Sequence, residues 1–140
     1  MEQIKIPELG EKLNVADYRT SAKNSLKDNM TPDHIPSAAA IKKFLENKLG
    51  RALTKEEASK LHGDGTTLLY ETSIHQKHSR TYGGRNSSDQ IIKDASDLFE
   101  AANQDMEAIK GVLIESGVSE KDVNAAFERI HEKNRNLGLY

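Results

Sequence analysis

A carboxylate and an imidazole stand side by side in the segment Asp33-His34-Ile35-Pro36-Ser37, and this pair is the first candidate for chemistry. On an extended segment, neighbouring side chains point to opposite faces. One group could then hold a metal ion while the other, at the turn out of the strand, faces a water molecule near a substrate. The plainer interpretation is that Asp33 caps the helix after Pro36 and that His34 is an ordinary surface histidine, since histidine has many roles.

The second candidate is the segment His75-Gln76-Lys77-His78-Ser79-Arg80-Thr81-Tyr82-Gly83-Gly84-Arg85-Asn86, which holds two histidines and three cations but no acid. The wider stretch 72–88 also lacks Asp and Glu, so it predicts a local positive patch. Arginine side chains and the backbone N–H groups of a glycine-rich loop are both suited to phosphate. Tyr82 adds a ring that could stack on a base or a sugar. The alternative is a solvated loop before a helix, with its cations serving solubility.

Together the two segments supply two distant histidines and a carboxylate, namely His34, His75 and Asp33. This is a ligand set for a divalent cation that prefers nitrogen and oxygen, such as zinc, magnesium or manganese. A metal bound to phosphate, with a free imidazole that activates water, is sufficient for phosphodiester hydrolysis. His78 follows His75 by three residues and ranks below it, and for His62 and His131 a structural role is favoured.

The composition limits the classes of protein that could carry this chemistry. The chain has 140 residues, no cysteine and a net charge of −2. Disulfides, cysteine-ligated zinc and thiol nucleophiles are therefore excluded, and a uniformly basic nucleic-acid-binding surface is disfavoured. No apolar run is long enough for a transmembrane helix, and the first residues lack the apolar core of a secretory signal.

The hydrophobic pattern predicts a helix-dominated α+β single domain over residues 1–140, with a small β element and a C-terminal helical hairpin. We divide it into a leader and N-terminal helix (1–30), a catalytic region (31–88) and the hairpin (89–140). Residues 1–12 fit an edge strand or a flexible tail.

Periodicity, caps and turn residues predict the elements that position the two segments. They are a helix over 14–27, a helix over 38–49 with caps at Ser37 and Gly50, a short helix opened by a capping box at Thr54, a turn at 62–65, a strand over 66–74, a loop over 75–88, a second capping box at Ser87, one long helix from about Ile91 to Leu113, and a last helix capped by Ser119.

The segment Asp33-His34-Ile35-Pro36 resembles the first strand and turn of HNH/endonuclease VII-like nucleases, which share a ββα-metal motif. Ser73-Ile74-His75, followed by the run from Ser79 to Asn86, is similar to the second half of nuclease domains in bacterial polymorphic toxins of the Rhs and contact-dependent inhibition types. The resemblance covers residues 33–86. The chain departs from the common HNH pattern by a helical insertion between the two halves and by the lack of a CxxC zinc knuckle.

The resemblance implies that His34 is the general base, that Asp33 and His75 hold the metal, and that Arg80, Arg85 and Asn86 orient phosphate or brace the loop. We therefore expect catalytic roles for His34, His75 and Arg85. The remaining polar residues are expected to contact substrate, and these are Lys77, His78, Ser79, Arg80, Thr81, Tyr82 and Asn86.

The resemblance also implies a biological setting. We expect a monomeric toxin domain delivered as part of a larger secreted bacterial polypeptide, with Met1 as a domain boundary, acting on nucleic acid in the cytoplasm of a target cell. DNA is favoured over RNA. A cognate immunity protein is expected, with an acidic surface that covers residues 72–88.

Two other functions fit the same residues. A metal-independent RNase would use its histidines as an acid–base pair on a 2′-hydroxyl and its cations to stabilise the phosphate. A helical interaction module would have no catalysis at all.

Overall fold

A computed structural model describes residues 4–24 and 29–140 of the chain, and within these ranges the fold is the helix-dominated α+β arrangement that the sequence predicts. In chain order the elements are β1 (Val15–Asp17), α1 (Tyr18–Asn24), β2 (Met30–His34), α2 (Ala38–Leu49), α3 (Lys55–Asp64), β3 (Thr66–Glu71), α4 (Thr72–His78), a 3-10 turn (Gly83–Arg85), α5 (Ser88–Ser96), α6 (Leu98–Glu115) and α7 (Glu120–Asn136). Among the described residues, no helix combines the length and the apolar character that crossing a bilayer requires.

The three strands form one sheet in the order β1-β3-β2, and β3 pairs antiparallel with both neighbours. The first five residues of β3 are all buried, as expected for a central strand covered on both faces. Leu68 and Tyr70 face the core formed with α6 and α7. Thr67 points the other way and donates its hydroxyl hydrogen to the Ala16 carbonyl at 2.8 Å.

The predicted C-terminal hairpin is confirmed, and it supplies most of the core. Ser119 begins α7 by accepting a hydrogen bond from the Asp122 N–H at 3.1 Å. The facing residues of α6 and α7 are fully or nearly fully buried, and they include Met106, Ile109, Leu113, Val123, Phe127 and Ile130. The sheet therefore rests on a helical layer that fixes its position.

The helix predicted over residues 14–27 begins too early. Val15–Asp17 is instead a strand paired with β3, and the helix starts at Tyr18. The Asp17 carboxylate accepts the Thr20 N–H at 3.0 Å, which ends the strand and starts the helix. Residues 25–28 lie outside the described residues. Residues 4–12 contain no strand, and the side chains of Ile4 and Ile6 are exposed.

The caps predicted for α2 and α3 are confirmed. Ser37 accepts the Ala40 N–H at 3.1 Å, Gly50 has φ 72°, and Thr54 and Glu57 form both halves of the capping box. The turn predicted at 62–65 is wrong, because α3 continues to Asp64. Glycine inside a helix lowers its stability without ending it, so Gly63 did not mark the end.

The strand predicted over 66–74 ends at Glu71, and the next seven residues form α4. His75 and His78 therefore lie on a helix and not in the predicted loop. Ile74 is buried in the helix, and an apolar residue at this position also suits a buried strand, so its residue type does not separate a strand from a helix. The basic side chains in the last turn of α4 complement the negative end of the helix dipole.

The single long helix predicted up to Leu113 is interrupted at Asp97, which separates α5 from α6. Asp97 accepts the Glu100 N–H at 3.1 Å and so caps α6. The apolar stripe continues across the break through Ala95, Leu98 and Ala102, all of them buried. Periodicity alone hides such a break. The second predicted capping box is half formed, since Ser87 accepts the Gln90 N–H while the Gln90 amide donates elsewhere.

The central strand should carry a large share of the stability. We expect Leu68→Ala to lower the free energy of unfolding by about 2–5 kcal/mol, because the side chain is fully buried and its removal leaves a cavity. Leu49→Ala is the matched control, since Leu49 is 51% exposed, and it should change the free energy of unfolding by less than about 0.5 kcal/mol. Urea denaturation followed by circular dichroism measures both. Equal losses in the two variants would contradict this account of the core.

Candidate active site

A cavity of about 260 Å³ opens where β2 ends and α2 begins, between these elements and α4. Its lining comprises Pro32, Asp33, His34, Ser37, Ala38, Ala39, His75, Thr81, Tyr82, Gly83 and Asn86. The fold thus brings the two segments singled out in the sequence to one cavity. Asp33, His34 and His75 all belong to its wall.

Asp33 is buried on the wall of this cavity, where it is only 7% exposed. Its Oδ2 accepts a hydrogen bond from the Tyr70 hydroxyl at 2.7 Å, and its Oδ1 lies 3.6 Å from Nδ1 of His75. The β-sheet register explains the first contact. Asp33 pairs with Leu68, so Tyr70, two residues further along β3, lies diagonally opposite on the same face.

His75 completes a three-residue cluster with Asp33 and Tyr70. It lies in α4, which follows β3 directly, and its Nδ1 is 3.3 Å from the Tyr70 hydroxyl oxygen. Its ring also packs edge-on against Tyr82, with 5.3 Å between the ring centroids. Tyr70 is fully buried, and both burial and the neighbouring Asp33 carboxylate raise its pKa. Its hydroxyl therefore keeps its proton and remains a hydrogen-bond donor.

His34 reaches the cavity from the opposite face of β2, as alternation along a strand requires. Its Nε2 lies 2.8 Å from the His62 carbonyl oxygen. A carbonyl can only accept, so Nε2 carries the hydrogen and Nδ1 of the neutral ring has the free lone pair. Burial lowers the pKa of His34, which favours this neutral ring.

Two aromatic side chains and a glycine hold the His34 ring in place. The ring stacks on Tyr18 with 4.9 Å between centroids and contacts the His62 ring at 4.5 Å. A Cβ at Gly65 would lie 2.7 Å from Cδ2 of His34, so this position leaves room for the ring only as glycine. No pattern in the sequence marks Tyr18 for this role. His62, for which the sequence favours a structural role, supports His34.

Arg80 lies behind the cavity and contacts buried carboxylates. Its guanidinium forms two hydrogen bonds with Asp94, at 2.7 and 3.1 Å, and its Nε lies 3.1 Å from Oδ1 of Asp105. Ser79, beside it, is 4% exposed. Of the two functions expected for Arg80, this arrangement favours bracing the loop. Neither Ser79 nor Arg80 lines the cavity.

The loop that follows, residues 81–86, is held by polar side chains at both ends. The Gln90 side-chain amide donates to the Arg80 carbonyl at 3.0 Å and to Oδ1 of Asn86 at 3.1 Å. The Arg85 guanidinium donates to the Ser79 carbonyl at 2.9 Å and lies 5.7 Å from the Tyr82 ring centroid. These contacts place Thr81, Tyr82 and Asn86 on the cavity wall.

The predicted positive patch is smaller than the sequence indicates. Lys77 and Arg85 are exposed on it, whereas the charge of Arg80 is matched by Asp94 and Asp105. His78 is half-buried and does not line the cavity. Neither of these exposed cations lines the cavity, and Lys77, two residues after His75 on α4, lies on a different side of that helix. Both add positive charge to the surface formed by residues 72–88, which could attract an anionic ligand.

The cavity offers few protein ligands for a metal ion. Within residues 4–24 and 29–140, no three His, Asp or Glu side chains converge in a geometry that could hold one. Asp33 and His75 are close enough to act together, with 3.6 Å between Oδ1 and Nδ1. The Asp33 carboxylate suits magnesium or manganese, which commonly bind one or two carboxylates and complete their shell with water and phosphate oxygens, whereas the His75 imidazole suits zinc. Catalytic zinc more often has three protein ligands.

Comparison with known proteins gives one informative match. The chain is 34% identical over 128 residues to "Deoxyribonuclease CdiA" of Dickeya dadantii (strain 3937). The match covers 91% of this chain and 4% of that protein, so the chain corresponds to a small part of a much longer polypeptide. Neither a protein-family model nor a solved structure matches the chain.

The buried carboxyl of Asp105 should make the stability depend on pH. Burial raises the pKa of Asp105 well above its ordinary value, and the nearby Asp33 and Asp94 carboxylates act in the same direction, against Arg80. When folding raises the pKa of a carboxyl group, the protonated group stabilises the folded protein. This contribution is complete below about pH 4, the pKa of aspartic acid in the unfolded chain, and it is lost as the pH rises through the pKa of Asp105 in the folded protein. We therefore expect the free energy of unfolding of Asp105→Asn, relative to the wild type, to increase between about pH 4 and pH 8.

Chemical denaturation at a series of pH values measures this difference. The control is Asp97→Asn, in which an exposed carboxylate is replaced by a residue that caps a helix equally well. The profile of this variant is the baseline with which the Asp105→Asn profile is compared. A flat profile for Asp105→Asn would show that Asp105 has an ordinary pKa in the folded protein.

Proposed function

We propose that this chain is a nuclease domain that hydrolyses phosphodiester bonds in DNA, and that the cavity beside β2 is its active site. One observation carries the proposal, namely that a carboxylate, two imidazoles and polar residues of the loop 81–86 line a single cavity. The choice of DNA rests on the similarity to a protein named a deoxyribonuclease.

In this proposal His34 is the general base. Burial lowers the pKa of its ring, which favours the neutral form. The Nε2–H is engaged by the His62 carbonyl, and Nδ1 of the neutral ring has a lone pair that can accept a proton from water. Stacking on Tyr18 and the contact with His62 fix the ring plane. A base held in this way loses little freedom when a substrate binds.

The loop and α4 would bind the substrate. Arg85 and Lys77 supply positive charge for the phosphate backbone, and Asn86 adds an amide on the cavity wall. Tyr82 is 39% exposed and offers a ring face for a base. Thr81 and His78 lie next to these groups, while Ser79 and Arg80 would act from behind by holding the loop.

Asp33 and His75 are the residues available to hold a divalent cation, which would neutralise the charge that develops on the phosphate. Magnesium or manganese fits this small donor set better than zinc. Everything else in the proposed chemistry, from proton acceptance to substrate binding, falls to side chains of the chain itself.

A metal-independent RNase is the second candidate function. It is favoured by the direct approach of His75 Nδ1 to Asp33 Oδ1 at 3.6 Å, which can orient the imidazole without any cation. With His34 on the same cavity wall, the two rings could act as base and acid on a 2′-hydroxyl. The third function expected above, an interaction module without catalysis, would leave these histidines without a role.

We expect the purified domain to nick or cut plasmid DNA with Mg²⁺ or Mn²⁺, and to lose this activity in EDTA. His34→Ala and His75→Ala should each lower the cleavage rate by about 10²- to 10⁴-fold, because each removes a group that takes part in the reaction. The measurement is plasmid conversion on agarose gels, with total RNA assayed in parallel. Gln76→Ala, an exposed neighbour on α4, is the control that should leave the rate unchanged.

The outcomes separate the candidates. Cleavage of RNA that survives EDTA would favour the RNase, and full DNA cleavage by His34→Ala would remove His34 from the role of base. No cleavage of either nucleic acid under any condition, with unchanged toxicity in both histidine variants, would favour the interaction module.

We also propose delivery into a target cell as part of a larger toxin, and a cognate immunity protein whose acidic surface covers residues 72–88. The exposed cations Lys77 and Arg85 within this stretch support this placement. The bound immunity protein should slow amide hydrogen exchange within residues 72–88 and inhibit cleavage. Lys77→Glu together with Arg85→Glu should weaken the complex. Protection limited to α7 would place the partner on another face.

A further inference from the structure

Tyr70 is fully buried, does not line the cavity, and contacts both Asp33 and His75. In the sequence it is one of several large residues in the strand pattern that forms β3, with no mark of a special role. Its hydroxyl is nevertheless the polar atom that joins the carboxylate to the imidazole.

The hydrogen-bond roles in this cluster follow from the number of protons available. The Tyr70 hydroxyl has a single hydrogen, which it donates to Oδ2 of Asp33 at 2.7 Å. Toward His75 the same oxygen can then only accept. The other neighbour of Nδ1, Oδ1 of Asp33, is a carboxylate oxygen and also only accepts.

Both neighbours of His75 Nδ1 are therefore acceptors, at 3.3 and 3.6 Å. The only tautomer of the neutral ring that suits them has its hydrogen on Nδ1, which leaves the lone pair on Nε2. The alternative tautomer would place the Nδ1 lone pair against two oxygen lone pairs in a buried setting, where an unfavourable polar contact costs most.

We propose that Tyr70 is a positioning residue that, through Asp33, fixes His75 in the Nδ1–H tautomer and makes Nε2 its reactive nitrogen. This inference rests on the proposed function only for the use that Nε2 serves, as a base or as a ligand. This arrangement excludes a cation shared between Oδ1 of Asp33 and Nδ1 of His75, because Nδ1 then has no lone pair. Asp33 instead acts on His75 from behind, in the way that carboxylates commonly orient metal-binding or catalytic histidines, and Nε2 is the nitrogen left to bind a cation.

The tautomer can be read directly in the protein without substrate or metal. At about pH 8, where an ordinary imidazole is neutral, the side-chain nitrogen resonances of ¹⁵N-histidine-labelled protein distinguish the two tautomers of each ring, and His75→Gln identifies the His75 signals. We expect the Nδ1–H form for His75 in the wild type. A wild-type ring in the Nε2–H form would overturn the proposal without any Tyr70 variant.

Tyr70→Phe removes only the hydroxyl, and with it the hydrogen bond that holds Asp33 in position beside His75. Because Oδ1 of Asp33 is then free to move away from Nδ1, we expect the His75 resonances to shift toward a mixture of the two tautomers. The turnover number kcat on DNA should fall by about 10- to 100-fold, the usual effect of losing an outer partner of a catalytic histidine, with KM changed less than about twofold. Unchanged His75 resonances in a variant that still melts cooperatively would refute the role of Tyr70.

The matched control is Tyr140→Phe, which removes another tyrosine hydroxyl that contacts a histidine. Tyr140 lies 2.6 Å from Nδ1 of His131, in a separate cluster with Asn134. This variant should shift the His131 resonances and leave those of His75 and the kcat unchanged. An equal effect of both variants on His75 would show a general loss of structure and would count against the proposal.

The two proposals fail separately. If His75 shows the Nδ1–H tautomer and Tyr70→Phe disturbs it, the inference stands even when no nucleic acid is cleaved. In that case the proposed function is what has failed.

Discussion

The carboxylate of Asp33 is the charge around which the site is built. A buried carboxylate is costly unless polar partners replace the water it loses. Asp33 finds them in Tyr70, on the central strand, and in His75, on the helix that follows that strand. Because these partners come from β3 and α4, satisfying this one charge fixes β2, β3 and α4 relative to one another. The requirements of folding and of the site therefore coincide at a single side chain.

Strand alternation explains how two adjacent residues contribute to one cavity from different surroundings. Asp33 faces the α6–α7 core together with Tyr70, whereas His34 faces Tyr18 and His62 on the other side of the sheet. Both reach the cavity because it opens at the end of β2, where the chain leaves the sheet for α2. The carboxylate is thus held by hydrogen bonds, and the imidazole mainly by ring contacts and one carbonyl.

The sequence predicted those features that have a local cause. The caps at Ser37 and Thr54 and the left-handed Gly50 depend on residues within one helical turn, and all three are confirmed. The change from strand to helix after Glu71 has no such local signal, because an apolar Ile74 suits a buried strand and a buried helix equally. The break at Asp97 was missed although Asp97 and Glu100 have capping-box spacing, because the apolar stripe continues across it.

For the candidate site, too, the sequence predicts what depends on residue type and not what depends on contacts between distant segments. Residue types and their grouping were enough to select Asp33, His34 and His75, and the fold places all three on one wall. Tyr70 and Tyr18 are not recognisable as site residues from the sequence, because a tyrosine in an apolar pattern predicts core packing. The residue that such a tyrosine contacts depends on sheet register or on a distant helix. No count of residues along the chain reveals such a partner.

Counting cations along the chain also overstates the charge of the loop. Arg80 directs its guanidinium toward Asp94 and Asp105. One of the three cations in the segment from His75 to Asn86 therefore pairs with buried carboxylates and is not available to a ligand at the surface. A buried ion pair of this kind adds little net stability, because desolvation offsets the attraction. It does fix geometry, since the planar guanidinium bonds Asp94 through two nitrogens. The loop that carries Tyr82 and Asn86 is consequently held from behind. Lys77 and Arg85, which are both exposed, are then the cations of this segment that are able to meet a phosphate backbone.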